Sequence, residues 1–149
     1  MSIPNDNVRV IRLSNVIGDD FASGNFLFSL IHEAVEFKEI KLKQSPFIER
    51  DYIALTSVIK MIEKIALLGN ERVYNVASGI NISNVEILKE ISRITDCDVI
   101  MDKENEDYTF PVIENKKIIN EFSFQPETIL NNIENLIKVY QNKYKNDTN

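Results

Sequence analysis

A chain of 149 residues has the length of one ordinary domain, or of a large piece of a bigger one, and is long enough to bury a core. Hydrophobic residues at 44% and charged residues at 27% are close to the averages for globular chains, which sets aside intrinsic disorder and a membrane-embedded fold. A net charge of -6, with 17 basic residues spread along the chain, excludes a general nucleic-acid binder, because such binding is largely a Lys/Arg effect.

No apolar run approaches the roughly 20 residues of a membrane-spanning helix, so no membrane partner is expected. Met1 to Asn7 has neither the basic region nor the apolar core of a signal peptide, and the expected location is cytoplasmic. The single cysteine, Cys97, allows no internal disulfide. With His32 as the only histidine, a zinc site of Cys and His ligands cannot be assembled. A carboxylate-bound Mg²⁺ stays open, but no metal ligand is assigned.

Val8 to Leu13 mixes β-branched residues with two arginines and reads as a strand, and Ser14 to Asp20 reads as the loop leaving its end. A helix is expected from Ser23 or Gly24, with Phe26, Leu27, Leu30, Ile31, Ala34 and Val35 on helical spacing and Phe37 at its close. Ile40 and Leu42 alternate with charged residues as a short strand with one wet face. Phe47 to Ala54 is the next strand-like run. Thr56 or Ser57 is expected to cap a helix ending at Gly69, with Val58, Ile59, Ile62, Ile65 and Ala66 along its buried stripe.

Arg72 to Val76 is a further strand, followed by the turn Ala77-Ser78-Gly79. Ser83 with Glu86 three residues on is a capping-box pattern, opening a helix to about Ile94. Val99 to Met101 reads as a short strand, Asp102 to Asp107 as an exposed acidic loop and Lys116 to Phe122 as a short helix. After Pro126, the positions Ile129, Leu130, Ile133, Leu136, Ile137 and Tyr140 define a long amphipathic helix. Residues 146–149 are expected to fray. Strands alternating with helices, with no dividing linker, give an α/β chain read as a single domain over 1–149.

Several separated segments together resemble one family, the NAD(P)-dependent sugar-nucleotide epimerases and dehydratases, or extended short-chain dehydrogenases/reductases. Arg12-Leu13-Ser14-Asn15-Val16-Ile17-Gly18 is similar to that family's Arg-Leu-Ser-Asn-Val-Tyr-Gly strand end, with Ile17 in place of tyrosine. Asn25-Phe26 resembles the pair that starts its next helix, and Arg50-Asp51-Tyr52-Ile53 its Arg-Asp-Phe/Tyr-Ile. Tyr74-Asn75-Val76-Ala77-Ser78-Gly79 is similar to its Tyr-Asn-Val-Gly-Ser-Gly, and Phe122 to Pro126 to its Leu-Gly-Phe/Trp-x-Pro. The resemblance runs from residue 8 to about 141 and covers only the family's C-terminal half. It implies an α/β fold made of a mixed small sheet with packed helices, lacking most of the Rossmann domain, and substrate binding rather than chemistry.

The departures bear on activity. None of the glycines, at 18, 24, 69 and 79, forms the glycine-rich turn that cradles a cofactor pyrophosphate. No tyrosine has a lysine four residues later, so the family's Tyr-x-x-x-Lys proton-transfer pair is missing and no catalytic residue is assigned. NAD or NADP is expected in a complete enzyme and not on this chain alone.

The resemblance implies that Asn15, Asn25 and Arg50 face a nucleotide-sugar, with Arg50 on its phosphates, and that Leu13 and Ser14 lie near the nicotinamide of a complete enzyme. An amide can donate to and accept from sugar hydroxyls, and an arginine presents a fork of donors to phosphate. The plainer readings stay beside these: Asn15 forms an Asx turn, Asn25 caps its helix, and Arg50 pairs with a surface carboxylate. Ser57 stands where the family commonly has aspartate, and no arginine near Phe110 supplies a second phosphate contact. His32 reads as structural or surface, and Cys97 as a buried inert thiol. Two functions follow: the substrate-binding portion of such an enzyme, or a stand-alone, non-catalytic module for protein interaction. The partners expected are a nucleotide-sugar, and a cofactor-domain partner or self-association through an exposed sheet edge.

Overall fold

The computed structural model describes residues 8–22, 24–101 and 109–145, which fold as two compact units. The first takes in Asp51–Ile80 and Val112–Glu127 with the N-terminal stretch up to Gly18. The second takes in Asp19–Arg50, Asn81–Pro111 and the stretch from Thr128 onward. Ser23, the acidic loop Asp102 to Asp107 and the tail 146–149 lie outside the described residues.

In the first unit, β1 (Val10–Leu13) pairs in parallel with β5 (Val73–Val76), Ile11 opposite Tyr74 and Leu13 opposite Val76. The expected loop after Ser14 is instead a second short strand, β2 (Asn15–Ile17), parallel to β4 (Glu49–Ala54) with Asn15 opposite Tyr52. The β-branched Val16 and Ile17 gain ladder partners there, and this outweighs the polar, loop-like flanks. Helix α2 (Leu55–Leu68) follows β4 with no loop. Its N-cap is Ala54, without a side-chain cap bond, so neither Thr56 nor Ser57 caps it. The helix stops at Gly69, as expected.

The core of this unit is Ile53, Val58, Met61, Ile65, Tyr74, Val76, Ile118 and Phe122, the last two from α4 (Lys116–Phe122). The expected stripe of α2 holds for Val58 and Ile65, whereas Ile59, Ile62 and Ala66 are exposed and Met61 is buried in their place. Tyr74 is fully buried and donates its hydroxyl hydrogen to Glu121 at 2.7 Å. The phenolic oxygen accepts from the Glu71 backbone N–H at 2.8 Å, and Glu121 also accepts from the backbone and side chain of Asn70. The Tyr74 hydroxyl and both Glu121 carboxylate oxygens have partners, which is what lets a phenol sit in an apolar core.

In the second unit, α1 (Phe26–Glu36), α3 (Asn84–Thr95) and the long α5 (Leu130–Lys145) pack on one another. Between α1 and α3 in the chain, β3 (Glu39–Leu42) pairs in parallel with β7 (Asp98–Met101). Ile40 and Leu42 are buried while Lys41 is exposed, the alternation the sequence predicts. Lys38 and Asp96, just outside α1 and α3, take the left-handed conformation that ends a helix. β6 (Asn81–Ser83), hydrogen-bonded to β4, is a strand the sequence reading did not separate from the helix start. The capping box is present: Ser83 N–H donates to Glu86 at 2.9 Å, and Glu86 N–H donates to the Ser83 hydroxyl. His32 meets the Tyr140 hydroxyl at 2.7 Å, and Cys97 is buried. Among the described residues no helix is long and apolar enough to cross a membrane, and no group of three or more His, Cys, Asp or Glu side chains could hold a metal ion.

Three groups contribute to the pH response. The hydrogen bond from the Ser83 hydroxyl holds Glu86 below the usual carboxylate value, and the bond from Tyr74 does the same for Glu121. Burial, reinforced by Glu121, pushes Tyr74 above its usual value. A depressed carboxylate contributes stability that is whole above its unfolded pKa and lost as pH falls through the folded one. A raised phenol contributes stability that is whole below its unfolded pKa, near 10, and lost as pH rises through the folded one. The urea midpoint is therefore expected to be flat near neutrality and to fall on both sides. Glu86→Gln removes part of the acid limb, and Tyr74→Phe part of the alkaline limb. Unchanged limbs in both variants would contradict these bonds.

Candidate functional site

β4 carries the two residues around which the candidate groups gather. The two are neighbours in sequence, Arg50 in the second unit and Asp51 in the first. Asp51, 3% exposed, belongs to the first unit and aims at the turn after β5. It accepts hydrogen bonds from the backbone N–H of Ser78 at 3.0 Å, Gly79 at 2.6 Å and Ile80 at 3.2 Å, and from the Ser78 hydroxyl at 3.0 Å. From the other side the Asn115 amide donates to the carbonyls of Ala77 and Ser78 at 3.0 and 2.9 Å. Gly79 has φ +73, and a Cβ there would stand 2.8 Å from the Asn115 amide nitrogen, so the turn admits only glycine without strain. This is a nest of backbone donors already filled by a carboxylate of the chain itself.

The predicted strand-end residues of the first unit lie together. Asn15 donates its side-chain amide to the Asp51 carbonyl at 2.8 Å, a bond across the strand pair rather than within its own turn. Ser14 N–H bonds the Val76 carbonyl at 3.3 Å, while its hydroxyl is buried without a hydrogen-bond partner among the described residues. Leu13 is 47% exposed at the end of β1. A cleft of about 280 Å³ is lined by Arg12, Val73, Asn75, Glu114, Asn115 and Lys117 and contains none of the predicted residues.

Asn25 and Arg50 belong to the second unit. Asn25 Oδ1 accepts from Leu27 N–H at 2.9 Å and is the N-cap of α1, which fixes the start of the helix at Phe26. The Phe26 ring lies 5.3 Å from the Arg50 guanidinium carbon, and the Phe110 ring lies 5.7 Å from it. The guanidinium also donates to Gln44 Oε1 at 2.8 Å and to Asn84 Oδ1 at 3.3 Å. Asn84 is buried, and its amide donates to the Ser45 carbonyl at 2.8 Å, so the group that receives Arg50 is itself held. Two aromatic faces and two neutral amide oxygens thus fix a planar cation in place. Sequence reasoning missed Phe26, Phe110, Gln44 and Asn84, because they converge from four segments and no local pattern joins them. Asp51 was read only within the Arg50-Asp51-Tyr52-Ile53 resemblance, and its role in the turn after β5 was not assigned.

No family model matches this chain, and no curated protein matches it by sequence. Solved structures do match. A dTDP-glucose 4,6-dehydratase from Bacillus anthracis in complex with NAD aligns at TM-score 0.80 and 22% identity, over 93% of this chain and 46% of that one. An NAD-dependent NDP-hexosamine 5,6-dehydratase involved in tunicamycin biosynthesis aligns at 0.78 and 18%, over 95% and 48%. A UDP-glucose 4-epimerase from Thermotoga maritima with UDP-glucose aligns at 0.75 and 14%, over 91% and 46%.

The carboxylate nest predicts a stability effect. Asp51→Asn keeps the shape but turns an acceptor oxygen into an NH₂ facing backbone N–H groups, and should cost about 2–4 kcal/mol in urea denaturation. A loss below about 0.5 kcal/mol, the scatter of surface substitutions, would contradict the arrangement. The chain spans about half the length of the structures it matches, and its fold is that of about half of a nucleotide-sugar dehydratase or epimerase.

Proposed function

We propose that this chain is the nucleotide-sugar-binding portion of an NAD-dependent dehydratase or epimerase and performs no chemistry by itself. The observation that carries the reading is the caged arginine. The Arg50 guanidinium lies 5.3 Å from the Phe26 ring and 5.7 Å from the Phe110 ring, in a fold shared with enzymes of nucleotide-sugar chemistry. A guanidinium whose plane is already fixed loses little freedom on taking up a diphosphate, which makes it a better anion anchor than a mobile surface arginine. Asn25, at the helix start beside Phe26, is the proposed partner of the sugar.

NAD fits only in part. The buried, unpartnered Ser14 hydroxyl and the exposed Leu13 would border the nicotinamide, whose role when bound is to accept and return a hydride. Nothing here supplies the glycine turn for the pyrophosphate, so the cofactor would be held by an α/β part outside this sequence, as a separate domain or partner chain. A cytoplasmic setting belongs to this reading. The runner-up, a non-catalytic interaction module, is favoured by the open edge of β1. Val10 and Ser14 direct their N–H groups to β5, so the backbone groups of Ile11 and Leu13 face the other way, where no strand pairs among the described residues.

Calorimetric titration of the chain with UDP-glucose and with NAD separates the two. The expected outcome is saturable binding of UDP-glucose, weakened at least about tenfold by Arg50→Ala and less by Arg50→Lys, with no heat from NAD. No binding of UDP-glucose or dTDP-glucose at millimolar concentration would overturn the reading.

A further inference from the structure

Two amide oxygens receive the Arg50 guanidinium, and they are held differently. Asn84 is 1% exposed at the first position of α3. Its side-chain amide donates to the Ser45 carbonyl at 2.8 Å and its backbone N–H to the Ile48 carbonyl at 3.0 Å, while Val85 N–H donates to the Pro46 carbonyl at 2.9 Å. These bonds pin the start of α3 to the segment that enters β4, and Asn84 cannot turn away from Arg50 without breaking its bond to Ser45. Gln44 lies half-buried at the head of the same segment. Among the described residues its side chain makes one hydrogen bond, the 2.8 Å contact in which Arg50 Nη2 donates to Oε1. Rotation about its own torsions is enough to withdraw it.

The nitrogen that Gln44 engages is the one an oxyanion needs. A guanidinium presents two forks, Nη1 with Nη2 and Nε with Nη2, so Nη2 takes part in either two-pronged contact with a phosphate. The Gln44 oxygen sits at the separation expected of a phosphate oxygen, roughly 2.7–2.9 Å for a charge-assisted bond. It keeps a partly buried donor paired in the free protein, and a charged oxygen is the stronger acceptor. We propose that Gln44 is a displaceable placeholder on Arg50. An oxygen of a ligand diphosphate takes its place on Nη2, while Asn84 keeps Nη1 and with it the position of the guanidinium. The inference rests on the nucleotide-sugar reading and names the residue that its ligand must move.

Calorimetric titration of the full chain with UDP-glucose and with dTDP-glucose tests it. Gln44→Ala removes a competitor for Nη2 and should tighten binding about threefold or more, the opposite of what the loss of a ligand contact or a structural prop would do. Gln44→Glu keeps the shape but sets a carboxylate on the guanidinium, and should weaken binding at least about tenfold. In the wild type, which needs no substitution to fold, the side-chain NH₂ resonances of Gln44 should move on saturation towards those of a solvent-exposed glutamine. Binding that Gln44→Ala weakens or leaves unchanged overturns the placeholder and leaves the nucleotide-sugar reading standing. So does a Gln44 NH₂ pair that stays in place at saturation. A wild type that binds neither nucleotide-sugar overturns both.

Discussion

One buried carboxylate sets the order of this chain's central strand. Asp51 receives three backbone N–H groups and a hydroxyl from the turn after β5, and an ion left without them at that depth would cost several kcal/mol. The turn is held in return, with Gly79 in the left-handed region against Asn115. Arg50, the residue before Asp51 in the sequence, belongs to the second unit, where Phe26, Phe110, Gln44 and Asn84 receive it. A stability device and a candidate binding device are thus neighbours in sequence.

Much of this was legible where one local mechanism dominates. The Ser83 and Glu86 pair is a reciprocal cap that needs only its own four residues, and it forms as read. The alternation of Ile40 and Leu42 and the stop at Gly69 are equally local. What was not legible depends on distant partners. Asn15 to Ile17 is a strand because β4 lies beside it, and its own residues look like a loop. Helix α2 has apolar residues on about half its circumference, so periodicity alone cannot tell the side that faces the core from the side that does not. Choosing Ile59 and Ile62 over Met61 was the consequence. Thr56 and Ser57 are good caps in isolation, but β4 enters the helix directly at Ala54 and leaves no place for one.

The site shows the same division. The strand-end and helix-start positions were readable as Asn15, Asn25 and Arg50, since each is marked by residue type at an element boundary. Their surroundings were not. Asn25 is engaged as a cap and Asn15 as a donor to the Asp51 carbonyl, so the named atoms of both serve the fold. Arg50 differs in that two aromatic rings and two amide oxygens lie against its guanidinium. That distinction makes the arginine the centre of the functional reading. The half-length match to nucleotide-sugar dehydratases and an epimerase shows a shared fold.

The most direct test of that reading is a crystal structure of this chain grown with UDP-glucose. The account predicts the diphosphate within hydrogen-bond distance of the Arg50 guanidinium, with Phe26 and Phe110 still against its faces and the sugar towards Asn25. A diphosphate bound elsewhere, with Arg50 untouched in its cage, would contradict it and leave the arginine as a structural element of the second unit.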